Sequence, residues 1–354
     1  MENDGWHSYI FLKTLNSTKT RYLLLVFVFP LIAVLMFGSS RRKYVGMNAV
    51  KFNQVLRGVS TSRIVLKPWF MAVSVSSKKH LSYMRASLSS GLAHSNMYPI
   101  VLISGDPSSI PTWLLLLNRS CRALVIGHNL TFSTRIARSA PHVMNHPAYL
   151  RLDIPNVLMK INDSVCSHID LNYNYGLYTD TDIIFTSRFN IESLPEPKVI
   201  MIGGETKKGK RNNSGILYIN ITAIRQHIPK LLTFADKYKW NFEALDQGLI
   251  MKYYKHVSQL LPDIYNWKPY WGINHQACII HFHGAKPGDC AECLATNGER
   301  ALNLDCSCFV YTNITSFVYN TYRVSFAEQS RSYAHYLSMF FRYQKRLHNY
   351  LSST

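Results

Sequence analysis

Apolar positions along the chain fall in short blocks separated by Gly, Pro, Ser and Asp. Residues 70–77 (FMAVSVSS) predict a buried strand, and Leu81, Met84, Leu88 and Leu92 then recur at helical spacing over 81–95. YPIVLISGD (98–106) predicts a second strand, ended by Gly-Asp-Pro, and CRALVIG (121–127) a third. AYLRLDIPNVLMKI (148–161) predicts a helix interrupted by Pro155. GLYTDTDIIF (176–185) has the apolar content of a buried strand but carries two acids, Asp180 and Asp182. Strand–helix–strand alternation of this kind predicts an α/β fold with a mostly parallel sheet covered on both faces. Ligands of such sheets sit beyond the carboxyl ends of the strands, which places the loop after AVSVSS and the Asp-Thr-Asp stretch at one rim.

The ends of the chain follow other patterns. Residues 22–38 contain no charge, and as a helix these 17 residues would span about 26 Å, the lower limit for a membrane crossing and a closer match to a bilayer of about 27 Å than to a thicker one. A retained signal-anchor is expected rather than a cleaved signal peptide, because 21 residues precede the run and no Ala-x-Ala pattern follows it. The expected organisation is a cytoplasmic tail (1–21), an anchor (22–38), a polar, basic stem (39–66), a catalytic domain (67–310) and a C-terminal helical extension (311–354). Basic residues flank both sides of the anchor, so the charge rule does not orient it. In the extension, Tyr333, Leu337, Phe340, Phe341, Leu347 and Leu351 alternate with Arg331, Arg342, Lys345 and Arg346. That pattern fits a helix packed on the domain better than one lying in a membrane interface.

Charge narrows the partners. Lys and Arg outnumber Asp and Glu by 39 to 20, a net charge of +19, which suits an anionic partner such as phospholipid, nucleic acid or a phosphate-bearing substrate. No nucleic-acid motif or basic-aromatic array accompanies it, so nucleic-acid binding is not expected. Asn118, Asn129, Asn162, Asn220 and Asn313 each begin Asn-x-Ser/Thr, compatible with a luminal domain. Cys290, Cys293, Cys306 and Cys308 are spaced C-x2-C-x12-C-x-C, which suits disulfides in an oxidising lumen or a structural zinc.

The candidate chemistry begins with Asp180 and Asp182. At i and i+2 on an extended chain their carboxylates project to one side, an arrangement of hard oxygens that Mg²⁺ or Mn²⁺ prefers. HFHGAKP (281–287) follows a strand-like block and offers an imidazole (His281), a flexible Gly284 and the point charge of Lys286. The aromatics of YNWKPYWG (265–272) suit either an acceptor sugar or a core.

YTDTDIIF, NNSGILYIN (212–220), ALDQGLI (244–250) and IIHFHGAKP (279–287), in that order, resemble the nucleotide-sugar glycosyltransferases of family 8 and, more distantly, family 32. SSKKHLSYMRASLSS and AYLRLDIP also look like that family's first nucleotide-binding loop and Arg-bearing helix. The resemblance implies a GT-A fold, Rossmann-like, with a mixed, mostly parallel sheet flanked by helices. It implies that Asp180, Asp182 and His281 ligate Mn²⁺ (or Mg²⁺) and that Asp180 lies near the donor ribose. Lys286 would contact the diphosphate, with Gly284 beside it. Asn213, in an Asn-Ser-Gly turn, would line the sugar pocket with Asp246 and Gln247, and Arg151 would meet donor sugar or phosphate. Ser76, Ser77 and His80 fall where base and ribose are held. Two departures stand out: the Gly-to-Lys spacing is one residue short of the usual His-x-x-Gly-x-x-Lys-Pro-Trp, and SSKK replaces the acids usual in the first loop.

The reading is therefore a single-pass type II enzyme of the Golgi or endoplasmic reticulum. It would transfer a hexose from a nucleotide sugar, expected to be a UDP-sugar, to a glycan, lipid or protein hydroxyl. Retention is what family 8 implies, and no carboxylate stands out as a covalent nucleophile, which favours front-face attack. The alternative is an inactive relative that binds sugar or assembles with a partner.

Overall fold

The computed structural model describes residues 66–144, 146–161, 169–170, 172–205, 212–284, 286–288 and 326–352. These belong to one compact unit beginning at Arg63. The expected anchor at 22–38 and the stem up to residue 65 lie outside the described residues, as do Cys290, Cys293, Cys306 and Cys308, Asn162 and Asn313. Among the described residues no helix is long and apolar enough to cross a membrane.

A seven-stranded mixed sheet runs in the order β3-β2-β1-β4-β7-β6-β8. Its strands are β1 (Lys67–Ser74), β2 (Met97–Ser104), β3 (Leu124–Gly127), β4 (Tyr175–Thr179), β6 (Ile200–Gly204), β7 (Asn212–Asn220) and β8 (Ser258–Leu261). β1 pairs in parallel with β2 and β4, β2 with β3, and β6 with β8, whereas β7 is antiparallel to both neighbours. The expected mixed, mostly parallel sheet is thus present. β5 (Ile183–Phe185) and β9 (Ile279–His281) form a separate antiparallel pair.

β1 illustrates why both faces are covered. Trp69, Met71 and Val73 enter one apolar cluster while Phe70 enters the other, the two-residue period of a strand packed on both sides. On the first face lies α1 (Lys78–His94) with α2 (Thr112–Arg119). On the second lie α3 (Ser133–Ser139), α4 (Ile154–Leu158) and α5 (Ile221–Lys237). α6 is Asp246–Tyr253 and α7 is Phe326–Ser352.

Three expected elements change. The helix expected over 148–161 is a 3-10 stretch, Pro147–Asp153, continued by α4, because Pro155 lacks the N–H that an unbroken helix would direct at Arg151 O. The strand expected over 176–185 is two strands in different sheets, divided at Asp180-Thr181-Asp182. The Asn-Ser-Gly expected as a turn lies inside β7, where the register against β6 shifts between Ile202 and Gly203 and leaves residues 214–216 bulged.

A third cluster joins α1 (Tyr83, Ala86), the small sheet (Ile184, Ile280, Phe282), the aromatics Trp267, Tyr270 and Trp271, and α7 (Tyr333, Tyr336, Leu337, Phe340, Tyr343). The aromatics of YNWKPYWG are therefore core. α7 packs on the domain rather than standing away from it, each fully buried side chain contributing about 1.5–3 kcal/mol of apolar transfer.

Candidate active site

The small sheet brings the acids and the imidazole together. β4 ends at Thr179, and the chain then leaves the main sheet through Asp180-Thr181-Asp182 to enter β5. β5 meets β9 with Ile183 opposite His281, and Phe282 N donates to Asp182 O (2.9 Å). His281, the last residue of β9, is thereby set against Asp182. Its Nε2 is 3.6 Å from Asp182 Oδ1 and 4.0 Å from Asp180 Oδ2. One ligand atom from each of the three residues falls within 4.8 Å of the others. Ser87 Oγ of α1 braces the turn from behind, 2.5 and 2.8 Å from the carbonyls of Thr181 and Ile183. Gly215 lies beneath: a Cβ there would come 2.2 Å from His281 Cε1 and 2.8 Å from Asp180 Oδ2, so only glycine leaves the three groups room.

The donor set suits a divalent cation. Two carboxylates supply charge and hard oxygen, and burial pushes the His281 pKa well down, so the ring is neutral and keeps a lone pair. Asp182 is nearly buried while a third of the Asp180 side chain is exposed, which leaves the site open on one side.

Arg151 ties this centre to a second pair of predicted residues. Its guanidinium is buried, donates through Nη2 to Asp180 Oδ1 (3.0 Å) and through Nη1 to Ser214 O and Oγ (2.5 and 3.0 Å), and lies 4.4 Å from the centre of the Tyr178 ring. Its Nε is also 3.0 Å from Asp246 Oδ2, but its hydrogen bond goes to Ala148 O, so Asp246 feels the charge without an aligned bond. Desolvation outweighs that charge and pushes Asp246 up to about 6. Gln247 Oε1 accepts from Asn213 Nδ2 (3.1 Å) and Ser214 N (3.2 Å), and Asn213 Oδ1 accepts from Gly215 N (3.0 Å). Asp246 and Gln247 open α6 directly after Ala244 and Leu245, both at positive φ (53° and 56°), a conformation costly for side-chain-bearing residues.

Lys286 rests on the acidic pair, its Nζ donating to Asp182 Oδ2 at 2.5 Å. Gly284 holds φ +81°, the left-handed backbone that lets this short loop fold back. Ser77 Oγ and His80 Nδ1 are 2.9 Å apart, and Ser74 Oγ and Ser76 Oγ 2.8 Å, at the exposed carboxyl end of β1. Beside them Ser74, Ser104, Gly105, His128, Asn129, Leu130 and Leu150 line a cavity of about 200 Å³ at the ends of β1, β2 and β3. His128 is held there by Asp153 (2.8 Å), whose carboxylate also accepts from Thr131 and Asn156 and stays below its usual pKa despite burial.

Sequence reasoning missed several neighbours. Tyr178 donates to Asp180 Oδ1 (3.0 Å) and shares its strand face, a signal the i, i+2 spacing carried. Asn266 bonds His281 Nδ1, and His283 lies with its ring 5.6 Å from that of His281. Asn266 stands in YNWKPYWG and His283 in HFHGAKP, yet those blocks single out their aromatics and His281 rather than these two side chains.

No family model matches the chain, and no curated protein does. Among solved structures it is similar to the glycosyltransferase GlyE of Streptococcus pneumoniae, at 16% identity and a TM-score of 0.46. That match covers 63% of this chain and 56% of GlyE, so it spans little more than half of that protein. The galactosyltransferase LgtC, solved with donor and acceptor sugar analogues, is similar at 17% identity over 68% of this chain and 95% of its own, with a TM-score of 0.46. Mouse xyloside xylosyltransferase 1 is similar at 16% identity over 62% and 98%, with a TM-score of 0.41. These are distant likenesses.

Proposed function

We infer that this protein is a cation-dependent glycosyltransferase of the family 8 type, with a GT-A fold, that moves a hexose from a nucleotide sugar to a hydroxyl acceptor. The observation that carries the reading is the convergence of Asp180, Asp182 and His281, from segments a hundred residues apart, over a position that only glycine can occupy. These three residues hold Mn²⁺ or Mg²⁺. When bound, the cation supplies charge neutralisation to the departing diphosphate of the donor, expected to be a UDP-sugar. Lys286 leaves Asp182 for the anionic donor, adding a point charge on the leaving-group side. Arg151 stays charged in its buried position between Asp180 and Asp246, so the cation centre and the residues expected around the sugar share one guanidinium. Asp246 and Gln247, fixed at the start of α6, orient the sugar, and Asn213 and Ser214 fix Gln247 in turn. Ser76, Ser77 and His80 border the base and ribose. The reaction proceeds with retention by front-face attack.

The apolar run at 22–38 supports a type II anchor in the Golgi or endoplasmic reticulum. The Lys286–Asp182 pair favours one rival: a relative in which lysine permanently takes the cation's place and sugar is bound without turnover. The test is to incubate the purified full-length chain with a panel of nucleotide sugars, with and without Mn²⁺. Cation-dependent release of nucleoside diphosphate from one of them is expected. Glycan binding with no release from any donor would sustain the rival.

A further inference from the structure

The identity of the proton on His281 decides whether its Nε2 can serve a cation, and the surrounding hydrogen bonds determine that proton's position. Asn266 is fully buried behind the ring, with its Oδ1 and His281 Nδ1 3.0 Å apart. Its Nδ2 donates to Gly204 O (3.2 Å). A backbone carbonyl can only accept, so the side-chain amide has one orientation: nitrogen toward Gly204, oxygen toward His281. The opposite orientation would set two acceptors against each other at Gly204. With oxygen facing the ring, Nδ1 must carry the hydrogen, and the lone pair of the neutral imidazole falls on Nε2, the atom nearest the two carboxylates.

The amide is itself held on every side. Lys268, fully buried, donates to Gly204 O (3.0 Å) and to Asn266 O (2.8 Å), fixing the acceptor and the residue that uses it. A Cβ on Gly203 would stand 1.9 Å from Asn266 Nδ2, so the end of β6 approaches this closely only as glycine. The backbones are pinned as well: Trp267 N donates to Ile279 O (3.0 Å) and His281 N to Trp267 O (2.8 Å). Asn266 and His281 therefore sit on paired segments and cannot drift apart independently.

We propose that Asn266 is the positioning residue of the cation centre, locking His281 as the Nδ1–H tautomer with Nε2 presented to the ion, and that Gly203, Gly204 and Lys268 are its support. This rests on the cation reading given above. Partners of this kind behind a ligating histidine are typically worth 10- to 100-fold in metal affinity.

The experiment uses the full-length chain with ¹⁵N-labelled histidine and no added cation; the His281 signals are those lost in His281→Gln. The expected spectrum shows a protonated Nδ1 and a bare Nε2. Asn266→Leu, with the same branching but without the acceptor, should mix the tautomers and weaken Mn²⁺ binding, measured by calorimetry, by about 10- to 100-fold. A protonated Nε2 in the wild-type protein would overturn the proposal even if no variant folds. So would an Asn266→Leu protein that melts as the wild type does and binds Mn²⁺ within twofold of it. If the tautomer and Mn²⁺ affinity behave as expected while no donor is turned over, glycosyl transfer fails and the role of Asn266 stands.

Discussion

Two strand pairs in this protein show opposite design. β1 and β2 run side by side for eight registered residues, with side chains buried on both faces. β5 and β9 pair over only three, yet the acids and the imidazole hang on their ends. The long pair is an apolar scaffold that tolerates no polar cost and gains stability from area. The short pair is held by neighbours, Ser87 beneath the turn and α7 behind the strands, and that support lets it carry charge. Rigidity at the site is thus borrowed from packing elsewhere rather than produced by its own ladder.

This contrast can be broken from either side. The largest effect belongs to the site: Asp182→Ala or Asp180→Ala should reduce Mn²⁺-dependent donor hydrolysis by about a hundredfold or more while the melting temperature holds. Unchanged turnover in either variant, measured by nucleotide release, would remove that acid from the centre. On the scaffold, Ile100→Ala should cost about 2–5 kcal/mol by opening a cavity in β2, with Mn²⁺ affinity unaltered in calorimetry. A loss of affinity as large as the loss of stability would show that the two regions are not separable.

A third change probes the link between them. The Asp246 carboxyl is raised to about 6 by desolvation, so the ionised partner of Arg151 is lost as pH falls through that value. Turnover should decline with a midpoint near there, and Asp246→Asn should abolish the limb. A pKa raised on folding means the native state holds the proton more tightly than the unfolded chain. Wild-type stability should therefore fall relative to Asp246→Asn as pH rises from about 4 to 6, read from paired thermal melts. The smallest effect is expected at the partly exposed Arg135–Asp236 pair, where Arg135→Ala should cost under about 1 kcal/mol in denaturant titration and leave both affinity and turnover alone.

Much of the scaffold is legible in the sequence because its signals are local. The apolar blocks at 70–77, 98–106 and 121–127 correspond to β1, β2 and β3; β1 begins earlier, through the less apolar Lys67 and Pro68, and β3 later, past Cys121 at positive φ. The site is legible only as residue types. Asp180 and Asp182 look like neighbours on one strand, but IIF after them leaves for another sheet, and nothing within ten residues says so. Ala244 and Leu245 take positive φ with no glycine to announce it. NWKPYWG advertises aromatic rings, whereas the residues that bear on His281 are the Asn and Lys between them.

By itself the sequence determined the alternation of strands and helices, the burial of both sheet faces and the presence of two hard acids, an imidazole and a lysine with spacings suited to an ion and an anionic donor. Periodicity and residue chemistry suffice for those, since each depends on near neighbours in the chain. Tertiary structure alone decided that β5 pairs with β9, that Arg151 joins Asp180 to Asp246, that Lys286 rests on Asp182 and that Asn266 stands behind His281. Those are contacts between segments dozens to more than a hundred residues apart, set by three-dimensional packing and by the need of every buried polar group for a partner.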